Sequence, residues 1–391
     1  MPSIVTAIEV VVDQLLTSWA RRNGSMLKRR AVGCRALVVA WCIATRASGR
    51  TQPAQNGSRT FSRLLSASDF KTHEGTVAAP PGHRSRHYVF VHIPKAAGAS
   101  FMKDSPRFMM AGDTLRGSQE TAARSPVTFA RLKAKQPSSR VVFLRHPLQL
   151  VYSQFLYCKY VLKRKMPGFP RGRGDEGEAG GLDAWADHVS GGRDAYKCYH
   201  PRDVQFRFVV GAGDARAPEG VPANVGAAAA RRALDADFAM VGVVEAYRES
   251  LCLFRWLGER RTPPAYCGCG ATGAFPKVEH AHRMKYNSSV LAVAPRSRAA
   301  LAGLVAAQDV LLYIHGLSVF ERRVEEARNA TGVQLVCPET LRGLWARALD
   351  LACALRPYPG DLLRDAYDRS CYEYFDVADR AWRQHEPGVW Q

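Results

Sequence analysis

The stretch that decides the fold is YVFVHIPKAAGAS, which runs from Tyr88 to Ser100. Its first six residues are an apolar run typical of a strand, and small residues with a single lysine follow at once. This order predicts a strand, a tight loop and the start of a helix. Such a loop can close around an anion, with helix N-terminal amides and Lys95 supplying positive charge. We therefore predict a loop for phosphate or sulfate, although an ordinary strand-to-helix turn with a solvated lysine has the same pattern.

A second segment repeats this order between Val141 and Gln154, with the sequence VVFLRHPLQLVYSQ. The apolar strand ends at Arg145, and Pro147 suits the first turn of a helix. Arg145 and Ser153 bracket the turn, so the forked guanidinium and a hydroxyl can converge on one phosphate. A capped helix with a surface arginine is the alternative interpretation. The pattern GxxxxGK(S/T) is absent, which disfavours a standard ATP-binding P-loop.

Taken together, HIPKAAGAS (His92 to Ser100) and FLRHPLQLVYSQF (Phe143 to Phe155) resemble two segments of the Golgi-type and bacterial carbohydrate sulfotransferases. Those enzymes use 3′-phosphoadenosine 5′-phosphosulfate (PAPS), and their segments usually read like HIPKTGGTS and LRDPxxRxxSxY. Two later stretches are also similar to family elements, AMVGVVEAYRESLCLFRWLG from Ala239 to Gly258 and DVLLYIHGLSVFERRV from Asp309 to Val324. The four matches occur in the family's order and cover roughly residues 88–328.

The resemblance implies an α/β fold with a central parallel sheet flanked by helices, of the P-loop NTPase-like sulfotransferase type. It implies PAPS as co-substrate and no metal. Lys95 would stabilise the leaving group, and Arg145 and Ser153 would hold the 3′-phosphate. The loop implied to bind the 5′-phosphosulfate consists of Pro94, Lys95, Ala96, Ala97, Gly98, Ala99 and Ser100.

Three features depart from the family pattern. Ala97 and Ala99 replace the usual Gly and Thr, which removes backbone freedom and a hydroxyl donor from the loop. Pro106, which follows Asp104 and Ser105, is expected to interrupt the helix after the loop. These departures leave open a catalytically degenerate, polyanion-binding relative of the sulfotransferases. An ATP-dependent kinase of related fold is a further alternative.

The acceptor hydroxyl needs a general base, and the sequence leaves its identity open. Related sulfotransferases often place a Glu or His between the two cofactor segments, which makes Glu120 the first choice on position. His188 and His200 are the alternatives, although a lone histidine is more often a surface or core residue.

The N-terminal part of the chain resembles a leader followed by a stem. Three basic residues precede the apolar run from Ala36 to Thr45, which has the layout of a signal peptide or a short signal anchor, and translation could also begin at Met26. Ten apolar residues are fewer than a bilayer requires. The expected division is a leader (1–50), a flexible stem (51–87), a sulfotransferase domain (88–328) and a C-terminal helical extension (329–391). This layout suits a type II protein of the Golgi membrane or the secretory lumen.

The net charge of the 391 residues is +20, and it is unevenly distributed. Residues 88–174 hold 16 basic and 3 acidic residues, whereas residues 175–391 are close to neutral. Residues 88–174, which contain both proposed cofactor segments, therefore carry +13, and residues 1–87 carry +9. Nucleic-acid binding has no supporting motif. The expected partner is a hydroxyl-bearing acceptor, a glycan in the first instance, with membrane anchoring through the N-terminus.

Ten cysteines are present, and eight of them follow the leader, an even number compatible with disulfides. Cys267 and Cys269 with His280 and His282 offer a zinc alternative. One intervening residue between the cysteines is tighter than zinc sites usually have, so zinc is disfavoured.

Overall fold

The computed structural model describes residues 71–117, 138–161, 181–191, 200–211, 227–271, 273–278, 290 and 293–354. These residues all belong to the larger of two compact units, Leu64–Gln391. The predicted leader, its apolar run and Glu120 lie outside the described residues.

Five strands form one mixed sheet in the order β1-β3-β2-β4-β5. The last four strands in this order run parallel, and β1 pairs antiparallel with β3 at the edge. The expected α/β class is therefore confirmed; the expected central parallel sheet is present in β3, β2, β4 and β5, and the antiparallel β1 makes the whole sheet mixed. The strands are β1 (Lys71–Glu74), β2 (His87–Val91), β3 (Thr114–Gly117), β4 (Ser138–Leu144) and β5 (Phe238–Val243).

The antiparallel strand β1 falls in the segment that we predicted as flexible stem. Its sequence KTHE has no apolar alternation, so no periodicity pointed to a strand. The chain after it is also held, because the amides of Gly75 and Val77 donate to the carbonyls of Asp113 and Met109. Part of the predicted stem therefore belongs to the folded unit.

The inner strands are apolar because both faces of the sheet are covered. Residues Val141 to Leu144 of β4 and most of β5 are buried, as expected for parallel strands between helical layers. The described helices are α1 (Gly98–Asp104), α2 (Pro147–Leu156), α3 (Leu182–Ser190), α4 (Val204–Val210), α5 (Ala227–Ala236), α6 (Tyr247–Glu259), α7 (Pro295–Ala302), α8 (Ala307–Thr331) and α9 (Pro338–Ala354).

The sheet order places the two predicted anion segments side by side. β2 pairs directly with β4, and both strands run in the same direction. The loop after β2 and the turn after β4 therefore lie side by side at the carboxyl ends of these strands. β5 is the next parallel neighbour and leads into the 3₁₀ turn Val244–Ala246. In open α/β sheets, ligands bind beyond the carboxyl ends of the strands.

Helix α9, the last of the described helices, packs on the long helix α8, which crosses the predicted domain boundary at residue 328. Trp345 of α9 donates a 3.0 Å hydrogen bond from Nε1 to Glu321 of α8. A disulfide between Cys269 and Cys337 ties the residue before α9 to the chain beyond α6. The described part of the predicted extension is thus joined to the same folded unit.

Cys252 and Cys267 form a second disulfide, so both cysteines of the zinc alternative are oxidised. Cys269, Cys337 and Glu339 lie close together, but a disulfide offers no thiolate ligand. The zinc site on Cys267 and Cys269 is therefore excluded in this state. His280 and His282 lie outside the described residues.

In the part of the chain that the structure describes, no single helix is long and apolar enough to cross a membrane. Helices α7 and α8 have the length and apolar composition of a membrane span only when taken together, and the chain bends by 93° between them.

Candidate functional site

The loop between β2 and α1 is built on two residues in the left-handed backbone conformation. The φ angles of Lys95 and Ala97 are 67° and 58°, and neither residue is glycine. Left-handed conformations are costly for residues with a Cβ and persist where the surrounding structure holds them, often at functional sites. Ala97 is also the N-cap of α1, and its methyl group cannot cap the helix. The first amides of α1 therefore have no help from that side chain.

Gly98 follows this turn and is required by a close contact. A Cβ on Gly98 would lie 1.9 Å from Cδ2 of the His92 imidazole, and its three nearest atoms would all belong to that ring. The His92 ring stacks in turn on Phe90, with 5.6 Å between the ring centroids. Gly98 therefore allows close packing between the loop and the end of β2.

Helix α1 is short, as the sequence predicted. It ends at Asp104, and a 3₁₀ turn with Pro106 follows from Ser105 to Phe108. Asp104 is fully buried and accepts a 2.9 Å hydrogen bond from the hydroxyl of Tyr247. The break is thus fixed to helix α6 and does not unravel the loop.

Arg145 connects the two predicted anion segments. Its Nη1 donates a 2.8 Å hydrogen bond to the carbonyl oxygen of Lys95. Its own peptide is held by Gln205, whose Oε1 accepts from the Arg145 amide at 2.8 Å and whose Nε2 donates to the Arg145 carbonyl at 2.9 Å. The half-buried guanidinium is therefore fixed beside the loop.

Ser153 lies on α2, the helix that begins two residues after Arg145. It is buried, with 8% of its surface exposed. The convergence of Arg145 and Ser153 on one phosphate stays a prediction.

The ammonium of Lys95 lies over an aromatic ring. Its Nζ is 4.3 Å from the ring centroid of Tyr157, which follows the last residue of α2. A cation at this distance from a ring face is attracted by the ring quadrupole. Lys95, the loop and the end of α2 are thereby in contact.

A polar cluster beside Arg145 was missed as a site by sequence reasoning. One oxygen of Glu245 accepts from the His146 amide at 2.9 Å, and the other accepts from the Tyr313 hydroxyl at 3.0 Å. The Nε2 of His146 lies 3.1 Å from the carbonyl oxygen of Arg347. Glu245 and Tyr313 lie in the two later stretches that resemble the sulfotransferases. That position was the only sequence signal that could have pointed to them. Nothing in the sequence indicated Arg347, which α9 brings to this edge.

Burial determines the protonation of this cluster. It lowers the pKa of His146, and the nearby cations Arg347 and Arg145 lower it further. The hydrogen bond that His146 donates to the Arg347 carbonyl and the charge of Glu245 raise this pKa in the opposite direction. Burial also raises the pKa of Tyr313 well above its usual value, and the Glu245 carboxylate adds to this. A neutral imidazole and a protonated phenol therefore stand beside Arg145 at neutral pH.

Helix α4, which carries Gln205, is held in place by a buried acid from α8. Asp309 is 2% exposed, and its Oδ1 accepts a 2.8 Å hydrogen bond from the amide of Phe206. Burial raises the pKa of Asp309 to about 8, and the carboxylate of Asp203 raises it as well. The acid positions Gln205 and, through it, the peptide of Arg145.

The structure does not identify the general base. Glu120 lies outside the described residues. His188 is half-buried on α3, and His200 is buried, with its Nδ1 3.4 Å from the amide of Arg202. His200 also accepts a 3.2 Å hydrogen bond from Arg207 through its carbonyl, which suits a structural histidine.

No protein-family model, no curated protein and no solved structure matches the chain. Function is therefore inferred from the loop, from Arg145 and from the residues that hold them.

Proposed function

We propose that this protein is a PAPS-dependent sulfotransferase that transfers a sulfuryl group to a hydroxyl, in the first instance on a carbohydrate. The observation that carries the proposal is the hydrogen bond from Arg145 to the carbonyl of Lys95. It joins the two segments that the sequence predicts to bind anions, at the carboxyl ends of two neighbouring strands. PAPS has anionic groups at both of its ends, so a site with two such segments suits it. We further propose that the sheet and its loops are of the P-loop NTPase-like type.

The donor set suits phosphate and sulfate. Lys95 supplies a point charge, Arg145 supplies forked donors, and the backbone of residues 94–100 turns at the start of α1. We assign the 5′-phosphosulfate to this loop and the 3′-phosphate to Arg145 and Ser153. The chemistry uses no metal.

In the proposed reaction, a bond forms between the acceptor oxygen and sulfur while the bond from sulfur to the phosphate oxygen breaks. Adenosine 3′,5′-bisphosphate leaves with the electron pair of that bond. Lys95 neutralises the charge that develops on the leaving oxygen, which in group transfer of this kind supplies much of the acceleration. A base takes the proton of the acceptor hydroxyl, and Glu120 remains our first choice on position.

Two further observations support the proposed compartment and the proposed co-substrate. The disulfides Cys252–Cys267 and Cys269–Cys337 suit an oxidising compartment, in agreement with the secretory lumen or the Golgi membrane. The positive charge of residues 88–174 suits a small polyanion as co-substrate.

One observation favours a second candidate, a polyanion-binding protein without transfer activity. Ala97 holds a positive φ where the family has glycine, so the loop carries strain that an active relative would avoid. This candidate predicts that adenosine 3′,5′-bisphosphate binds but that no sulfuryl group moves.

The test combines binding with transfer. Thermal melting is followed with adenosine 3′,5′-bisphosphate and, separately, with Mg-ATP, and PAPS labelled with radioactive sulfur is offered with a panel of glycan acceptors. We expect stabilisation by the bisphosphate, label on at least one glycan, and loss of transfer in Lys95→Ala without loss of the fold. Stabilisation by Mg-ATP alone would point to a kinase and overturn the proposal. Binding without transfer to any acceptor would favour the second candidate.

A further inference from the structure

Tyr157 occupies a particular position relative to the proposed site. It is the first residue of a π-helical turn, Tyr157–Val161, which continues directly from α2. Its amide donates to the carbonyls of Ser153 and Gln154, so its backbone is fixed to that helix. Single π-helical turns within α-helices often mark functional sites.

The ring of Tyr157 faces the ammonium of Lys95, with 4.3 Å between Nζ and the ring centroid. A lysine has a flexible four-carbon stem, and backbone geometry alone does not fix where its charge lies. The positive φ of Lys95 and the hydrogen bond from Arg145 to its carbonyl fix only the backbone. A ring face is a nonionic contact, which holds an ammonium without neutralising its charge.

We propose that Tyr157 is a positioning residue for Lys95. Its ring holds the ammonium at the loop of residues 94–100, where the charge of the leaving group develops. This inference rests on the proposed function and names a residue that the sequence resemblance did not assign. The phenol oxygen is not required, because the attraction comes from the ring face.

The same turn supplies a matched control. Tyr160 also belongs to Tyr157–Val161 and also lies near a lysine, with 5.2 Å between the Nζ of Lys159 and its ring centroid. Tyr160 is half-buried like Tyr157. Substitution of Tyr160 therefore removes a second ring from the same turn while the ring of Tyr157 stays in place.

The experiment compares Tyr157→Phe, Tyr157→Leu and Tyr160→Leu in the full chain. The first readout is independent of activity: lysines are reductively dimethylated with ¹³C, and the Lys95 signal is assigned by its loss in Lys95→Arg. We expect a ring-current shift of that signal in the wild-type protein and in Tyr157→Phe, and its loss in Tyr157→Leu. The second readout is steady-state transfer, with kcat and the KM for PAPS determined separately.

In Tyr157→Leu we expect kcat to fall roughly tenfold, with a smaller change in the KM for PAPS. A tenfold fall in rate is the modest loss of transition-state stabilisation expected when one contact between an ammonium and a ring is removed. Tyr157→Phe and Tyr160→Leu should stay within about twofold of the wild type. An equal fall in Tyr157→Phe and Tyr157→Leu would assign the effect to the hydroxyl and overturn the proposal. An equal fall of kcat in Tyr160→Leu would show that the effect comes from disturbance of the π-helical turn, and this would also overturn the proposal.

The failure of this inference differs from the failure of the proposed function. If the wild-type protein transfers sulfate and Tyr157→Leu keeps full kcat, only the role of Tyr157 is overturned. If the wild-type protein transfers nothing to any acceptor, the proposed function fails and the role of Tyr157 in transfer fails with it.

Discussion

The guanidinium of Arg145 donates a 2.8 Å hydrogen bond to the carbonyl oxygen of Lys95, a residue fifty positions earlier in the chain. The bond joins the loop after β2 to the turn after β4, which are neighbouring parallel strands. Gln205 of α4 clamps the Arg145 peptide, and the bond to the Lys95 carbonyl holds the guanidinium itself before any ligand binds. Such preorganisation lowers the entropic cost of binding an anion.

Replacing this side chain should weaken binding of the nucleotide. In Arg145→Gln we expect the dissociation constant for adenosine 3′,5′-bisphosphate to rise roughly 10- to 100-fold, as expected when a charged hydrogen-bond donor is lost. Isothermal titration calorimetry measures this change. Arg296→Gln is the control, since the Arg296 side chain is 92% exposed and pairs only loosely with Asp183. If Arg145→Gln left the dissociation constant unchanged, Arg145 would not be a residue that binds the nucleotide.

Glycine is expected to be favourable at position 97 and unfavourable at position 99, because Ala97 has a left-handed backbone conformation and Ala99 does not. Ala97→Gly should stabilise the protein by about 0.5 kcal/mol, because relief of the left-handed strain exceeds the entropic cost of glycine. Ala99→Gly lies within α1 and should destabilise it by roughly 0.5 to 1 kcal/mol. Urea unfolding measures both free energies. If both variants changed the free energy of unfolding in the same direction, the result would argue against the left-handed conformation of Ala97.

The contact between Gly98 and His92 predicts a strong coupling. Gly98→Ala places a methyl group against the imidazole and should cost about 1 to 3 kcal/mol of stability. In a His92→Ala background the same substitution should cost much less, because the three nearest atoms are gone. A double-mutant cycle on the free energies of unfolding gives the coupling. Additive costs would show that the two residues do not touch.

The buried acid Asp309 should make stability depend on pH. Its pKa is raised in the folded protein to about 8, so the native state holds this proton more tightly than the unfolded chain does. The contribution is complete at acidic pH, below the unfolded pKa, and is lost as the pH rises toward 8. Asp203 and Arg207 face the same carboxyl, and Arg207 opposes the rise.

Asp309→Asn keeps an oxygen that can accept from the Phe206 amide and removes the titration. Relative to the wild type, the variant should therefore gain stability as the pH rises from 5 to 8. Urea unfolding at the two pH values measures the difference, and Asp350→Asn on the exposed side of α9 serves as the control. A difference between Asp309→Asn and wild type that is equal at both pH values would contradict the raised pKa.

The sequence by itself determined the local elements of the site. The apolar run before Ile93 became β2, the small residues after it became the turn into α1, and Pro106 marks the break that the proline predicted. Likewise the run before Arg145 became β4, and Pro147 became the first residue of α2. These outcomes depend on propensity and on contacts between near neighbours, which a sequence displays directly.

Only the tertiary structure decided which distant groups meet. The polar strand β1 has no periodicity of its own and exists because the exposed edge of β3 offers it hydrogen-bond partners. Arg145 reaches Lys95 because β2 and β4 are neighbours, and Arg347 reaches His146 because α9 packs on α8. The side-chain contacts that define the site join residues 50 to about 200 positions apart, and strand order and helix packing, which no local pattern encodes, determine which of them form.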